Sequence, residues 1–191
     1  MVKSFDGYNL VITEQVDRAY QAATRKGRNE SATSAFWTQI FSIWMTCNGF
    51  SVVSQQKVQA DTQLAVDATV QYWDKGPPGG WDVVIFTLLE FGKPSYTDLN
   101  DLESQLQDYV RILLDAEVGG KLKHPWVYCA TIYATKIRFL KCGIDNNHEL
   151  QMVPSSGGAF GHAEIADYWD AKENSSEIKD YLRKIWEDRI R

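Results

Sequence analysis

Apolar and polar positions along this chain recur with two periods, and the places where the period changes divide it into elements. Residues 13–26, TEQVDRAYQAATRK, set Val16, Ala19, Tyr20 and Ala23 at helical spacing, with Thr13 as N-cap and Gly27 as the break. This predicts a first helix. A second is expected in SAFWTQIFSIWMTCNG, capped by Ser31 or Ser34, with Phe36, Ile40, Ile43, Trp44 and Cys47 forming an apolar stripe that ends at Asn48-Gly49. Beyond Gly49 the period falls to two, in FSVVSQQKV and again in QLAVDATVQYW, until KGPPGG interrupts it. WDVVIFTLLEFG then runs almost continuously apolar, as a strand covered on both faces does.

Pro94 stops that strand, and DLNDLESQLQDYVRILLDAE returns to helical spacing through Leu99, Leu102, Leu106, Tyr109, Val110 and Leu113. Acidic residues crowd its first turn, where the helix dipole favours them. After Gly119-Gly120, PWVYCATIYATKIRFLKCG reads as two strands meeting near Ala134-Thr135, and ELQMVP as a short third. SSGGAFGH is expected to be a flexible loop, and a closing helix from about Ser176 puts Ile178, Leu182 and Ile185 on one face. The order predicts an α/β (α+β) chain built on a mixed sheet.

Composition narrows the picture. The 191 residues, 44% hydrophobic and 24% charged, can bury one good core, so a single domain over 1–191 is expected. No apolar run is long enough to span a bilayer and the first residues lack the layout of a signal peptide, which points to a cytoplasmic or nuclear protein with no membrane partner. Cys47, Cys129 and Cys142 have neither the even number of a disulfide framework nor paired zinc-ligand spacing. His124, His148 and His162 are scattered in expected loops. A net charge of -5 argues against a protein that coats nucleic acid nonspecifically, although Arg25, Lys26, Arg28, Lys121, Lys123, Lys136, Arg138 and Lys141 fall in local groups able to line one groove.

Candidate chemistry rests on carboxylates in apolar surroundings. Asp67 lies inside the strand AVDATV and Glu90 ends the strand VVIFTLLE, with Lys93 three residues on. A carboxylate at the end of a buried strand needs a partner, because burying it alone is costly. Two such groups on neighbouring strands can hold Mg²⁺ or Mn²⁺ through oxygen, leaving positions for water and a phosphate oxygen. The cation lowers the pKa of a bound water, and a nearby lysine can orient that water or the phosphate. Phosphate loops, dinucleotide fingerprints and nucleophile elbows are all missing from the sequence.

The strand with Asp67, the strand with Glu90 and Lys93, and the helix segment Gln105-Leu106-Gln107-Asp108-Tyr109 together resemble the PD-(D/E)XK nuclease superfamily, in particular its RecB-like branch. In that branch a QxxxY element follows the Glu-Lys strand, and Gln105 and Tyr109 match it. The resemblance covers roughly residues 32–142. It implies a restriction-endonuclease-like αβββαβ core, with extra N- and C-terminal helices around it. It also implies a magnesium site on Asp67 and Glu90, a catalytic role for Lys93, support from Gln105 and Tyr109, and DNA rather than RNA as substrate.

Three positions depart from the pattern. Val66 stands where the family has Pro before the Asp. Glu90-Phe91-Gly92-Lys93 carries one residue more than Glu-x-Lys, so a regular strand would turn Lys93 away from Glu90 unless Gly92 is bulged. The glutamate usual on the first core helix has no match, with Glu30 just ahead of the helix and Gln39 within it. These departures set a second expectation beside the nuclease: a fold of this type that has lost catalysis and binds a protein or nucleic-acid partner, or a second copy of itself.

Overall fold

The computed structural model describes residues 10–11, 13–25, 30–45, 49–57, 65–75, 81–92, 99–117, 126–145, 147 and 149–188. Four α-helices are found among them: α1 (Glu14–Thr24), α2 (Glu30–Met45), α3 (Leu99–Glu117) and α4 (Ser175–Asp188). The strands are β1 (Phe50–Lys57), β2 (Ala65–Lys75), β3 (Trp81–Phe91), β4 (Trp126–Tyr133), β5 (Lys136–Ile144), β6 (Leu150–Pro154) and the short β7 (Trp169–Asp170). A 3-10 turn at Ile165–Asp167 precedes β7. None of the described helices is long and apolar enough to cross a membrane.

The strands form one mixed sheet in the order β1-β2-β3-β4-β5-β6. β1, β2 and β3 are an antiparallel meander, and α3 then crosses over so that β4 lies parallel to β3. Parallel neighbours need a connection long enough to return the chain to the same end of the sheet, and a helix serves that purpose. β5 runs antiparallel to β4 through the tight turn at Ala134-Thr135, and β6 and β7 share the far side of β5, pairing with its 140–144 and 136–137 stretches. A mixed α/β architecture is therefore present as the periodicity predicts.

Each face of the sheet carries its own apolar layer. On one side α1, α2 and α4 cover Ala68, Val70, Tyr72, Leu89, Phe91, Tyr128, Ala130, Ile132, Ile137 and Phe139. On the other, Leu106, Tyr109, Val110, Leu113 and Leu114 of α3 pack against Val127, Cys129, Leu140, Cys142 and Met152. Alternation along β4 and β5 produces this division, since successive residues point to opposite faces. Cys129 and Cys142 are thus buried thiols, and Cys47 lies outside the described residues.

Helix positions differ from expectation in detail. Thr13 does cap α1, its hydroxyl accepting the Val16 amide at 3.2 Å. α2 starts at Glu30, so Ser31 and Ser34 lie within it and cap nothing. Its inward face is rotated relative to the expected stripe: Trp37, Phe41 and Met45 are buried with Phe36, Ile40 and Trp44, whereas Ile43 is exposed. The fully buried Trp37 explains the rotation, because its indole Nε1 donates to the Ala134 carbonyl at 2.9 Å. That bond fixes α2 to the β4–β5 turn, where Ala134 holds a positive φ of 58°.

Asp170 gathers the other end of this layer. Its carboxylate accepts from the Tyr20 hydroxyl (3.1 Å), the Thr135 hydroxyl (2.7 Å) and the Lys172 amide (2.9 Å). One buried charge thereby joins α1, the β4–β5 turn and the approach to α4. Nearby, the amide of the buried Leu10 donates to the Ser175 hydroxyl at 2.9 Å, docking the segment before α1 on the first residue of α4.

Candidate functional site

Asp67 and Glu90 come together at one end of the β2/β3 ladder. The last paired residues there are Ala68 and Leu89, and Asp67 precedes the one as Glu90 follows the other. Val66 packs in the α3 layer, while Ala68 and Val70 pack in the α2 layer. Asp67 lies between them, half-buried, and its Oδ2 accepts the Phe91 amide at 2.8 Å. The carboxylate is thus held against the peptide that joins Glu90 to Phe91.

Glu90 is 3% exposed. On its other side it pairs with Thr131 of β4, which in turn pairs with Arg138 of β5. Paired residues share a face, so Glu90, Thr131 and Arg138 form a polar row on the α3 side. At about 4.8 Å per strand, Arg138 begins about 10 Å from Glu90.

The bulge at Gly92 that could turn Lys93 to the Glu90 face is not seen in the described stretch. β3 and β4 stay in regular parallel register from Thr87↔Tyr128 to Phe91↔Ile132, and the Gly92 amide continues it by donating to the Ile132 carbonyl at 2.6 Å. The irregularity lies upstream, between Val70 and Gln71. A Cβ at Gly92 would stand 3.2 Å from both the Ile132 oxygen and the Tyr133 ring, so a side chain at the place where the Glu-x-Lys pattern needs one would be tightly packed. Lys93 itself lies outside the described residues.

Gln105 and Tyr109 meet each other: Gln105 Nε2 donates to the Tyr109 hydroxyl at 2.9 Å, as an i,i+4 helical pair allows. Tyr109 is 5% exposed and belongs to the same cluster as Val66, so the QxxxY face of α3 packs where β2 begins. α2 packs on the opposite face of the sheet, and among the described residues the buried Oε1 of its Gln39 has no hydrogen-bond partner. The side chain of Glu30 lies outside what the structure describes. Among the described residues no group of three His, Cys, Asp or Glu side chains converges as a metal site.

Of the basic residues expected to line one groove, Arg138 and Lys141 stand on opposite faces of β5, and Lys26, Arg28, Lys121 and Lys123 lie outside the described residues. Lys141 is bound to Asp188 at 3.2 Å, with its Nζ 4.1 Å above the Trp126 ring. Arg138 is wholly buried in an ion pair with Glu103 of α3, itself wholly buried. Arg138 also donates to the carbonyls of Gly157 (2.8 Å) and Ala159 (3.3 Å), and the second Glu103 oxygen accepts the Gly161 amide at 2.7 Å. Burial raises the Glu103 pKa, against the opposing pull of the Gly161 amide and Arg138. Beside this pair the Tyr168 hydroxyl bonds Thr131 Oγ1 at 2.9 Å, and burial pushes its pKa up as well.

Sequence reading missed this Arg138–Glu103–Thr131–Tyr168 group, although two signals pointed to it. Glu103 interrupts the apolar stripe of α3 between Leu102 and Leu106. Arg138 alternates with Leu140 and Cys142 on a buried strand face. The same group anchors the SSGGAFGH stretch at Gly157, Ala159 and Gly161.

Compared with protein-family models, curated proteins and solved structures, the chain matches none of them.

Proposed function

We propose that this chain is a PD-(D/E)XK-like domain that hydrolyses phosphodiester bonds of nucleic acid, DNA before RNA, with Asp67 and Glu90 as its metal-binding pair. The observation that carries the proposal is the Asp67 to Phe91 hydrogen bond, which brings a second carboxylate to the Glu90 end of β3. The succession α2-β1-β2-β3-α3-β4, with β4 parallel to β3, supports a restriction-endonuclease-like core. Gln105 and Tyr109 add support from α3.

The donor chemistry suits Mg²⁺ or Mn²⁺, which take carboxylate oxygens and complete their shell with water and phosphate. When bound, such a cation would activate a water and stabilise charge developing on phosphorus. Asp67 and Glu90 would hold it, the Phe91 amide would fix the orientation of Asp67, and Lys93 is the residue assigned to the water or phosphate. The test is calorimetry with Mg²⁺ and Mn²⁺ on the wild type and on Asp67→Ala, beside a cleavage assay on single- and double-stranded DNA. Binding lost in the variant together with metal-dependent cleavage supports the nuclease; neither binding nor cleavage in the wild type removes it.

One observation favours a second reading, a domain of this type that has given up catalysis and binds a partner. Regular pairing through Phe91 leaves Gly92, which has no side chain, where alternation from Glu90 requires the lysine.

A further inference from the structure

Residues 155–168 cross the N-terminal half of α3 and the 131/138 end of the sheet with little apolar anchoring: Ala163 and Tyr168 are buried, Phe160 packs half-buried against the α3-side cluster, and the rest is half-buried or exposed. Polar bonds supply most of the remaining hold. Ser155 is bonded to the Phe139 carbonyl, and Arg138 grips the Gly157 and Ala159 carbonyls. Glu103 accepts from Gly161, Asn100 Oδ1 accepts the Ala163 amide at 2.8 Å, and Tyr168 bonds Thr131. Its backbone depends on Gly158 and Gly161 at φ 75° and 78°, and a Cβ at Gly158 would strike the Asp167 carboxylate at 2.5 Å. What the segment covers is the Arg138–Glu103 pair and, through Thr131, the flank of Glu90.

From these contacts we infer that 155–168 is a lid that opens as one unit, and that its opening gives access to the buried Glu90 along the groove between α3 and β5. The inference rests on reading Glu90 as part of the site. Segments with few apolar contacts and exposed backbone open at free energies well below global unfolding. Opening gives water to Arg138 and Glu103 together, and leaves the apolar contacts of α3 with β4 and β5 in place.

Native-state hydrogen exchange tests the lid without reference to metal. The Gly161 and Ala163 amides should exchange together, below the global opening, with little dependence on denaturant. Weakening either anchor, Glu103→Gln or the milder Asn100→Ala, should speed both amides together, by on the order of tenfold for the charged anchor. Exchange of both amides only with global unfolding, or a response confined to the mutated anchor's own amide, overturns the lid. Asn100→Cys/Ala163→Cys then ties it shut. Mg²⁺ binding should fall when the disulfide forms and return on reduction, and binding unchanged by the crosslink overturns the access role. A wild type that exchanges as a unit but binds no Mg²⁺ overturns the metal-site reading and the access role built on it, and leaves the lid.

Discussion

The Asp67 carboxylate accepts the Phe91 amide proton at 2.8 Å, so one side chain both closes the end of the β2/β3 ladder and presents charge beside Glu90. The two roles can be separated. Asp67→Asn keeps a carbonyl acceptor and should change the unfolding free energy by less than about 1 kcal/mol, whereas Asp67→Ala leaves the amide without its acceptor and should cost about 1–3 kcal/mol. Both variants should lose divalent-cation binding in calorimetry. An Asn variant that binds Mg²⁺ as the wild type does would remove Asp67 from the site.

The Arg138–Glu103 pair is expected to be costly to break and cheap to replace. Arg138→Met leaves a buried carboxylate without its cation and should lose about 3–5 kcal/mol, while a double variant with Glu103→Leu should recover most of that loss. Urea denaturation of the two single variants and the double reads this directly. Additive losses would show that the pair is not the coupled unit the structure depicts.

Glu103 also gives a pH dependence of definite sign. Burial is the largest influence on it and raises its pKa, so the folded chain holds this proton more tightly than the unfolded chain does. Its contribution to stability is therefore greatest below the ordinary glutamate range and declines as pH rises from there through the raised pKa. Denaturation midpoints across that window should fall less steeply in Glu103→Gln than in the wild type. Parallel profiles would mean that Glu103 has the same pKa folded and unfolded.

Asp170 should be among the least replaceable polar residues on the α1 side. Losing its acceptor contacts in Asp170→Ala leaves donors on the half-buried Tyr20 and the buried Thr135 without their partner, at a cost of about 3 kcal/mol, against about 1 kcal/mol for Tyr20→Phe. Thermal or chemical denaturation of both variants checks the ratio. Equal effects would mean that the Tyr20 bond carries the whole of it.

Periodicity made the elements legible because burial repeats. Leu102, Leu106, Tyr109, Val110 and Leu113 are buried on α3 as their spacing requires, and the two strands meeting at Ala134-Thr135 pair as expected. The rotation of α2 was not legible, because Ile43 and Phe41 are equally apolar and only the remote bond from Trp37 to Ala134 decides which faces inward. The candidate carboxylates could be found as charges in apolar strands, but their mutual placement depends on the register that pairs Ala68 with Leu89, which leaves no mark in the residues themselves. Glu103 and Arg138 are 35 positions apart in the chain. Each looked like one charge among many until α3 crossed the sheet and set them face to face.

The bond from the Leu10 amide to the Ser175 hydroxyl links segments 165 positions apart. Leu10, α1 and α2 share one apolar layer with Ile178, Leu182 and Ile185 of α4, so the earliest helices have an incomplete surface to dock on until α4 exists. During synthesis the β1–β2–β3 meander and the α3 crossover can assemble first, while α1 and α2 wait with Trp37, Phe41 and Trp44 uncovered. Until α4 is made, the apolar face those aromatic side chains form has only part of its cover.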